Sequence, residues 1–247
     1  MNRIMDAVFR EYIYYLKVEK GLSANSVAAY RRDLDKLLCF LNDAHIDPLK
    51  AEREHLSDFL TEISSTGIHP RSQARILSGI KSFYHFLIYR DYRSDDPTEL
   101  LGAPKIGLHL PDVLTVTEID AMISVIDLSK PEGRRNKAIV EMLYGSGLRV
   151  SELVNLKLSN LYAEEGYMLV EGKGSKQRLV PVSAKALKEL GYWYTDRNML
   201  MISAGHEDYI FLNRRGRQLT RAMIFTVIKQ LAQSAGIRKT VSPHTLR

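Results

Sequence analysis

Residues 6–90 repeat one pattern four times: apolar side chains recur three and four positions apart, and each run ends at a residue that stops a helix. Val8, Phe9, Tyr12, Ile13 and Leu16 form the first stripe, which Gly21 closes. Ser23 opens a second stripe through Val27, Tyr30, Leu34, Leu37, Leu38 and Leu41 that fades around Asn42 to Pro48. A third covers about 54–65 with Leu56, Phe59, Leu60 and Ile63 inward, and Gly67 marks its end. The fourth runs from Pro70 to about Arg90 on Ala74, Leu77, Ile80, Tyr84 and Leu87. Four amphipathic helices must cover their stripes with one another, which predicts a compact all-α unit over residues 1–92. Cys39, flanked by Leu38 and Phe40, reads as a buried thiol; as the only cysteine it excludes an internal disulfide and a multi-cysteine zinc site.

The period fails over residues 93–112, where Asp95-Asp96-Pro97, Gly102, Pro104, Gly107 and Pro111 punctuate the chain. This stretch reads as an interdomain linker, the alternative being a long surface loop within one domain. The second domain, residues 113–247, opens on Thr115-Val116-Thr117-Glu118, a capping box ahead of a helix. A helix from about Arg134 to Tyr144 follows, then a break at Gly145-Ser146-Gly147 and a short helix to about Leu156. Tyr167 to Glu171 and Gln177 to Pro181 read as strands joined by the turn Gly172-Lys173-Gly174-Ser175-Lys176. Helices near 184–195 and 220–235 complete a mainly α fold with a small β-hairpin or sheet, an α+β class in two domains. Tyr209-Ile210-Phe211-Leu212 reads as a further short strand or an extended packing segment.

No run of about 18 uninterrupted apolar residues occurs, and Met1 to Arg10 lacks the apolar stretch of a signal peptide, which predicts a cytoplasmic protein without a membrane span. The net charge of +6 is modest, but its distribution is not. From Tyr209 onward there is no Asp or Glu, against Arg214, Arg215, Arg217, Arg221, Lys229, Arg238, Lys239 and Arg247. Such a concentrated basic surface points to a polyanion, nucleic acid above all, although a solvated basic face gives the same composition.

Four residues carry candidate chemistry: Arg149, Lys173, His244 and Arg247. Arginine binds phosphate oxygens through a planar fork that stays charged, and lysine and histidine supply protons. His244 and Arg247 follow Ser242-Pro243, a good N-cap and first helical position, and are expected on one face of a helix near its positive end. A helix that short is not stable alone, so the chain reads as a fragment cut through this motif. No Asp/Glu cluster at metal-ligand spacing appears, so the cationic set has to replace a metal at a phosphodiester. Each residue alone has an ordinary reading: Arg149 as a helix cap, Lys173 as an exposed turn lysine, His244 and Arg247 as partners of a helix terminus. The turn at Lys173 is not a P-loop, because the longer glycine spacing before Lys-Ser/Thr is missing.

Taken together, Gly145-Ser146-Gly147-Leu148-Arg149-Val150-Ser151-Glu152-Leu153, Gly172-Lys173-Gly174-Ser175-Lys176-Gln177-Arg178 and His244-Thr245-Leu246-Arg247 resemble the tyrosine recombinases, within them the Xer-type or phage-integrase-like members. The N-terminal unit resembles their SAM-like core-binding domain, with Ser23 through Leu34 and Arg75 through Phe86 matching its helices. The resemblance implies a site-specific recombinase that cuts and rejoins duplex DNA through a 3′-phosphotyrosyl intermediate, with no metal or nucleotide cofactor, as a homo- or hetero-tetramer on two DNA sites. It implies that Arg149 and Arg247 grip the scissile phosphate, Lys173 protonates the leaving 5′ oxygen and His244 assists, while Glu152 holds the clamp. It also implies a nucleophilic tyrosine after Arg247, so that the fragment binds DNA without cleaving it; Tyr192, Tyr194 and Tyr209 precede the His244 motif and read as packing or surface. Arg71, Arg75, Arg214, Arg215, Arg217 and Arg221 are the candidates for phosphate contact, and Gln73 and Arg75 for base edges. The rival reading is a non-catalytic DNA-binding or architectural module of the same fold; a relaxing type IB topoisomerase is a second one with the same chemistry.

Overall fold

Each of the four stripes becomes a helix in the computed structural model, which describes residues 3–104, 107, 113–172, 174 and 176–246. Helix α1 (Arg3–Tyr14) continues into a wider π-helical turn (Tyr15–Glu19), closed by the Lys20 N–H donating to the Tyr15 carbonyl at 2.9 Å. The sequence predicts one regular helix there. The wider turn keeps Leu16 in the core and sets Tyr15 against Phe86, ring centroids 5.1 Å apart. Helix α2 (Ala24–Asp43) starts at Ser23, whose hydroxyl accepts the Ser26 N–H at 3.3 Å. Helices α3 (Arg53–Ser65) and α4 (Pro70–Tyr89) follow, Pro70 sitting at the first helical position, where no N–H is needed. Tyr12, Leu34, Leu37, Leu56, Ile80 and Phe83 are among the side chains that close the core.

Cys39 departs from its expectation: the thiol is exposed. Leu34, Leu37, Leu38 and Leu41 define the buried face of α2, and at 100° per residue position 39 turns off that face toward solvent. The first part of the stretch after α4 packs on the helical unit. Arg93 donates to the Ala51 carbonyl at 2.7 Å, Thr98 is wholly buried with its amide and hydroxyl on Asp96, and Leu101 enters the helical core. The chain divides into two compact units, Met1–His109 and Leu110–Arg247.

In the second unit the capping box forms as spelled: the Glu118 N–H donates to the Thr115 hydroxyl at 3.2 Å and the Thr115 N–H to the Glu118 carboxylate at 2.7 Å, opening α5 (Val116–Ser124). Helix α6 (Pro131–Ser146) ends at Gly147, and the short α7 (Val150–Val154) follows. Strands β1 (Leu161–Tyr162), β2 (Tyr167–Glu171) and β3 (Gln177–Pro181) form an antiparallel meander in chain order, with Leu169 opposite Leu179 and Glu171 opposite Gln177. The predicted hairpin is β2–β3; two-residue β1 is too short to show a period. Helices α8 (Ala184–Asn198) and α9 (Arg221–Ser234) complete the unit.

Between α8 and α9, Ile210, Phe211 and Leu212 are fully buried, and the 209–212 segment makes isolated bridges, Lys157 with Tyr209 and Leu212 with Gln218. Side chains take the place of a neighbouring strand. Arg197 donates to the Tyr209 carbonyl at 3.0 and 2.9 Å, the Trp193 indole to Ile210 at 2.8 Å and Arg135 to Leu212 at 3.1 Å. Helices α6 and α8 are clamped by the ion pairs Arg134–Asp196 (3.3 Å), Lys137–Glu189 (3.0 Å) and Lys185–Glu141 (2.8 Å). No described helix is long and apolar enough to cross a membrane.

Lys137 and Glu189 are the most enclosed of these pairs, with side-chain exposures of 20% and 10%. Lys137→Met strands the Glu189 charge and is expected to destabilise the second unit by about 3 kcal/mol, whereas adding Glu189→Leu recovers most of the loss. Urea unfolding followed through Trp193 fluorescence measures both; an equal loss in the single and double variants refutes the pairing.

Candidate active site

Gly147 fixes where Arg149 begins. It takes the left-handed conformation (φ 56°, ψ 33°) at the C-cap of α6, which a side chain disfavours, and turns the chain so that Leu148 is buried and Arg149 becomes the N-cap of α7. Glu152, three residues on, reaches back: its Oε2 accepts the Arg149 backbone N–H at 2.8 Å and its Oε1 accepts Arg149 Nη1 at 2.9 Å. The Arg149 side chain remains half exposed while that of Glu152 is 3% exposed. Arg149 therefore caps its helix through the backbone and still presents a guanidinium edge outward.

A second arginine meets the same carboxylate from the sheet. Arg178 on β3 donates Nη1 to Oε1 at 2.8 Å and Nη2 to Oε2 at 2.9 Å, a bidentate pair. Burial works to raise the Glu152 carboxyl, but the hydrogen bonds from Arg178 and from the Arg149 amide and guanidinium outweigh it and lower it to about 2. The hairpin turn abuts this network: the Gly172 N–H closes onto the Lys176 carbonyl at 2.8 Å, and a Cβ on Gly172 would stand 3.4 Å from Arg178 Nη1 and 3.9 Å from Glu152 Oε1. A cleft of about 670 Å³ opens beside it, lined by Arg149, Glu152, Gly172, Gln177, Lys157 and Tyr209 among others. Lys173 and Arg247 lie outside the described residues.

His244 is exposed, its ring edge toward Phe225 of α9 with centroids 6.5 Å apart, while Leu246 is buried in the core of the unit. At Ser242, where a helix start is expected, the described residues make one turn. The Thr245 N–H donates to the Ser242 carbonyl at 2.9 Å, and the Thr245 hydroxyl accepts the Ser242 N–H at 3.2 Å.

The candidate phosphate contacts divide by surroundings. On α4, Arg71 is exposed, but the Gln73 amide donates to the Ile68 carbonyl at 2.6 Å, and Arg75 pairs with the buried Asp33. Gln73 and Arg75 thus each have one partner within the first unit, while the Arg75 side chain stays half exposed. Burial pushes the Asp33 carboxyl up against the pull of Arg75. Arg214, Arg215 and Arg217 crown a tight turn whose Asn213 Oδ1 accepts the Arg215 and Arg217 amides at 2.9 and 3.2 Å. Gly216 is obligatory in that turn, with φ 67° and no room for a Cβ, which would lie 2.1 Å from the Met201 carbonyl oxygen. Arg214, Arg215, Arg217 and Arg221 are exposed and have no carboxylate partner among the described residues. Of the three tyrosines set aside above, Tyr194 is held inside the unit, where burial pushes its hydroxyl up to about 12. Arg178, which the sequence motif contains, acquires a partner only in three dimensions.

The phage integrase family model matches residues 112–247, and the model of the phage integrase N-terminal SAM-like domain matches residues 9–91. The tyrosine recombinase XerD of Staphylococcus aureus (strain Mu50 / ATCC 700699) is 38% identical over 244 residues, 98% of this chain and 83% of the relative. The crystal structure of XerA recombinase is 28% identical with a TM-score of 0.50, covering 98% of this chain and 81% of its own. That of XerH site-specific recombinase bound to a palindromic difH substrate shares the fold at a TM-score of 0.75, with 20% identity over 92% of this chain and 68% of its own.

Glu152 sets a pH dependence. Its folded-state value of about 2 lies below the ordinary 4.5, so its contribution is complete above about pH 4.5 and is lost as pH falls toward 2. The difference corresponds to about 3 kcal/mol. Glu152→Gln is expected to flatten that part of the stability curve, read as urea midpoints from pH 5 to pH 2; an unchanged slope refutes the ionised, doubly paired carboxylate.

Proposed function

The chain belongs to the phage integrase family of tyrosine recombinases, and from that premise we propose that Arg149, Lys173, His244 and Arg247 form the clamp with which it cuts and rejoins DNA at specific sites. The observation that carries this reading is Arg149, a guanidinium fixed from behind by a buried carboxylate yet half exposed at the mouth of a cleft. A donor held in place before the substrate arrives needs no reorganisation as charge builds on a phosphate, which makes it effective in the transition state.

On this reading a tyrosine hydroxyl attacks the scissile phosphorus and releases its proton to solvent or His244, the P–O5′ bond breaks, and a 3′-phosphotyrosyl link forms while Lys173 gives a proton to the departing 5′ oxygen. Arg149 and Arg247 bind the non-bridging oxygens, and His244, exposed beside Phe225, donates a hydrogen bond or moves a proton. The reverse reaction with a new 5′ hydroxyl reseals the strand. Bond energy stays in the phosphotyrosyl link, so the scheme calls for neither nucleotide hydrolysis nor a metal. The partner is duplex DNA, held through Arg71 and the cluster Arg214, Arg215, Arg217 and Arg221, with a tetramer on two sites as the working assembly in the cytoplasm.

The test is covalent trapping. Full-length protein incubated with nicked duplex fragments of its source chromosome is expected to give an SDS-resistant adduct. Arg149→Ala lowers its rate of formation by about 10² or more with duplex affinity little changed. Salt-sensitive binding without an adduct on any fragment favours the non-catalytic reading, and an Arg149→Ala protein that cleaves normally removes Arg149 from the clamp. Binding of non-specific duplex weakens with salt, and Ala at Arg214, Arg215, Arg217 or Arg221 each lowers the log–log slope by about 1. A slope unchanged by all four places the DNA elsewhere.

A further inference from the structure

Arg178 has no part in the proposed clamp, yet it meets both carboxylate oxygens of Glu152. The Glu152 carboxylate has four acceptor positions, and all four are filled: Oε1 takes Arg149 Nη1 and Arg178 Nη1, Oε2 takes the Arg149 amide and Arg178 Nη2. We propose that Arg178 is a positioning residue for the cleavage reaction, holding Glu152, and through it Arg149, in the geometry that meets the phosphate, and leaving the set with one net positive charge for that phosphate. The proposal rests on the clamp reading given above.

Two arguments carry it. The first is charge. Arg149 and Glu152 alone form a neutral pair, and a buried carboxylate with one cationic partner draws that partner's guanidinium inward. Arg178 supplies a second guanidinium, so two positive charges face one negative charge and the outer edge of Arg149 remains available to an anion. Lysine in its place delivers the charge without the fork that meets both carboxylate oxygens at once. The second is connection. Arg178 lies on β3, the strand that returns from the turn carrying Lys173, and Glu152 lies on α7 behind Arg149, so the bidentate pair ties the hairpin to the helix. Gly172, where the turn leaves β2, passes beside the same two groups. One contact thus sets β3 and the helix that follows Arg149 against each other.

The experiment uses the full-length protein and whichever nicked duplex gives the adduct, and compares Arg178→Gln, Arg178→Lys, Glu152→Gln and the Arg178→Gln/Glu152→Gln double variant, with Arg149→Ala as reference. Adduct-forming rate, duplex affinity and melting temperature are measured together. Arg178→Gln is expected to slow cleavage by about tenfold or more with affinity kept within about threefold. Arg178→Lys recovers only part of the rate, and in the Glu152→Gln background Arg178→Gln costs less than about twofold, because the two act as one unit. The pH profile gives an independent readout. The charged groups facing the Glu152 carboxylate are the Arg149 and Arg178 guanidiniums, so without Arg178 the carboxyl titrates nearer neutrality and cleavage acquires an acidic limb that a purely structural strut does not produce. Cleavage by Arg178→Gln at the parental rate, losses that add in the double variant, or a rate loss matched by the loss of affinity overturns the proposal. Should Arg178→Gln fail to fold, Arg178→Lys decides: parental rate and pH profile together refute the need for the fork. If Arg149→Ala cleaves normally, the clamp reading fails and takes this proposal with it; if Arg149→Ala is inactive while both Arg178 variants cleave normally, only the role of Arg178 falls.

Discussion

A carboxylate almost wholly removed from water organises the second unit. Burial of an unpaired charge costs several kcal/mol, so Glu152 is stable only where donors meet it from more than one direction. One direction is local: the amide and guanidinium of Arg149, three residues back on the same short helix. The other is distant: Arg178, twenty-six residues on and across a strand boundary. Five-residue α7 is too short to be stable by propensity, and its place is fixed by Gly147 before it, by the buried Val150, Leu153 and Val154 within it, and by this carboxylate.

The arginines of this unit do two kinds of work, and burial separates them. Arg135 and Arg197 are 6% and 3% exposed; they spend their donors on carbonyls of the extended 209–212 segment, and burial lowers both from the ordinary arginine value. Arg214, Arg215, Arg217 and Arg221 face solvent just beyond the segment that those buried arginines hold. The basic turn is therefore presented by a backbone that other basic residues hold rigid. Gly216, pressed against the Met201 carbonyl, fixes the turn's approach to the loop after α8.

Local pattern made much of this legible. The stripes of Leu34, Leu37, Leu38 and Leu41 and of Ile80, Tyr84 and Leu87 are helix faces at fixed spacing, Ser23 and Thr115 are caps whose hydroxyls accept the amide three residues on, and the hairpin strands alternate on either side of a glycine-bounded turn. What escaped depends on geometry that no short window contains. The π-helical turn at Tyr15 is a packing choice against Phe86, seventy-one residues away. Cys39 has apolar neighbours in sequence but not in the direction its side chain points. Arg75 carries the composition of a DNA contact, and only the fold brings Asp33 to it from forty-two positions earlier. The three motifs name candidate residues by type and spacing, whereas the pairing of Arg178 with Glu152 depends on how β3 meets α7.

That pairing also bears on how steady the site's charge is. A clamp for a phosphate has to remain cationic across the range of pH in which DNA is handled. Arginine supplies a charge that does not titrate there, and its hydrogen bonds to Glu152 raise the Arg178 value further. The carboxylate between the arginines has the opposite tendency, since burial favours its neutral form, and a neutral Glu152 would donate a proton where it now accepts four hydrogen bonds. Two arginines hold it ionised down to about pH 2. The same contacts that satisfy a buried acid thus keep the Arg149–Glu152–Arg178 group at a constant single positive charge, so that on the proposed clamp reading a transferred proton comes from lysine or histidine.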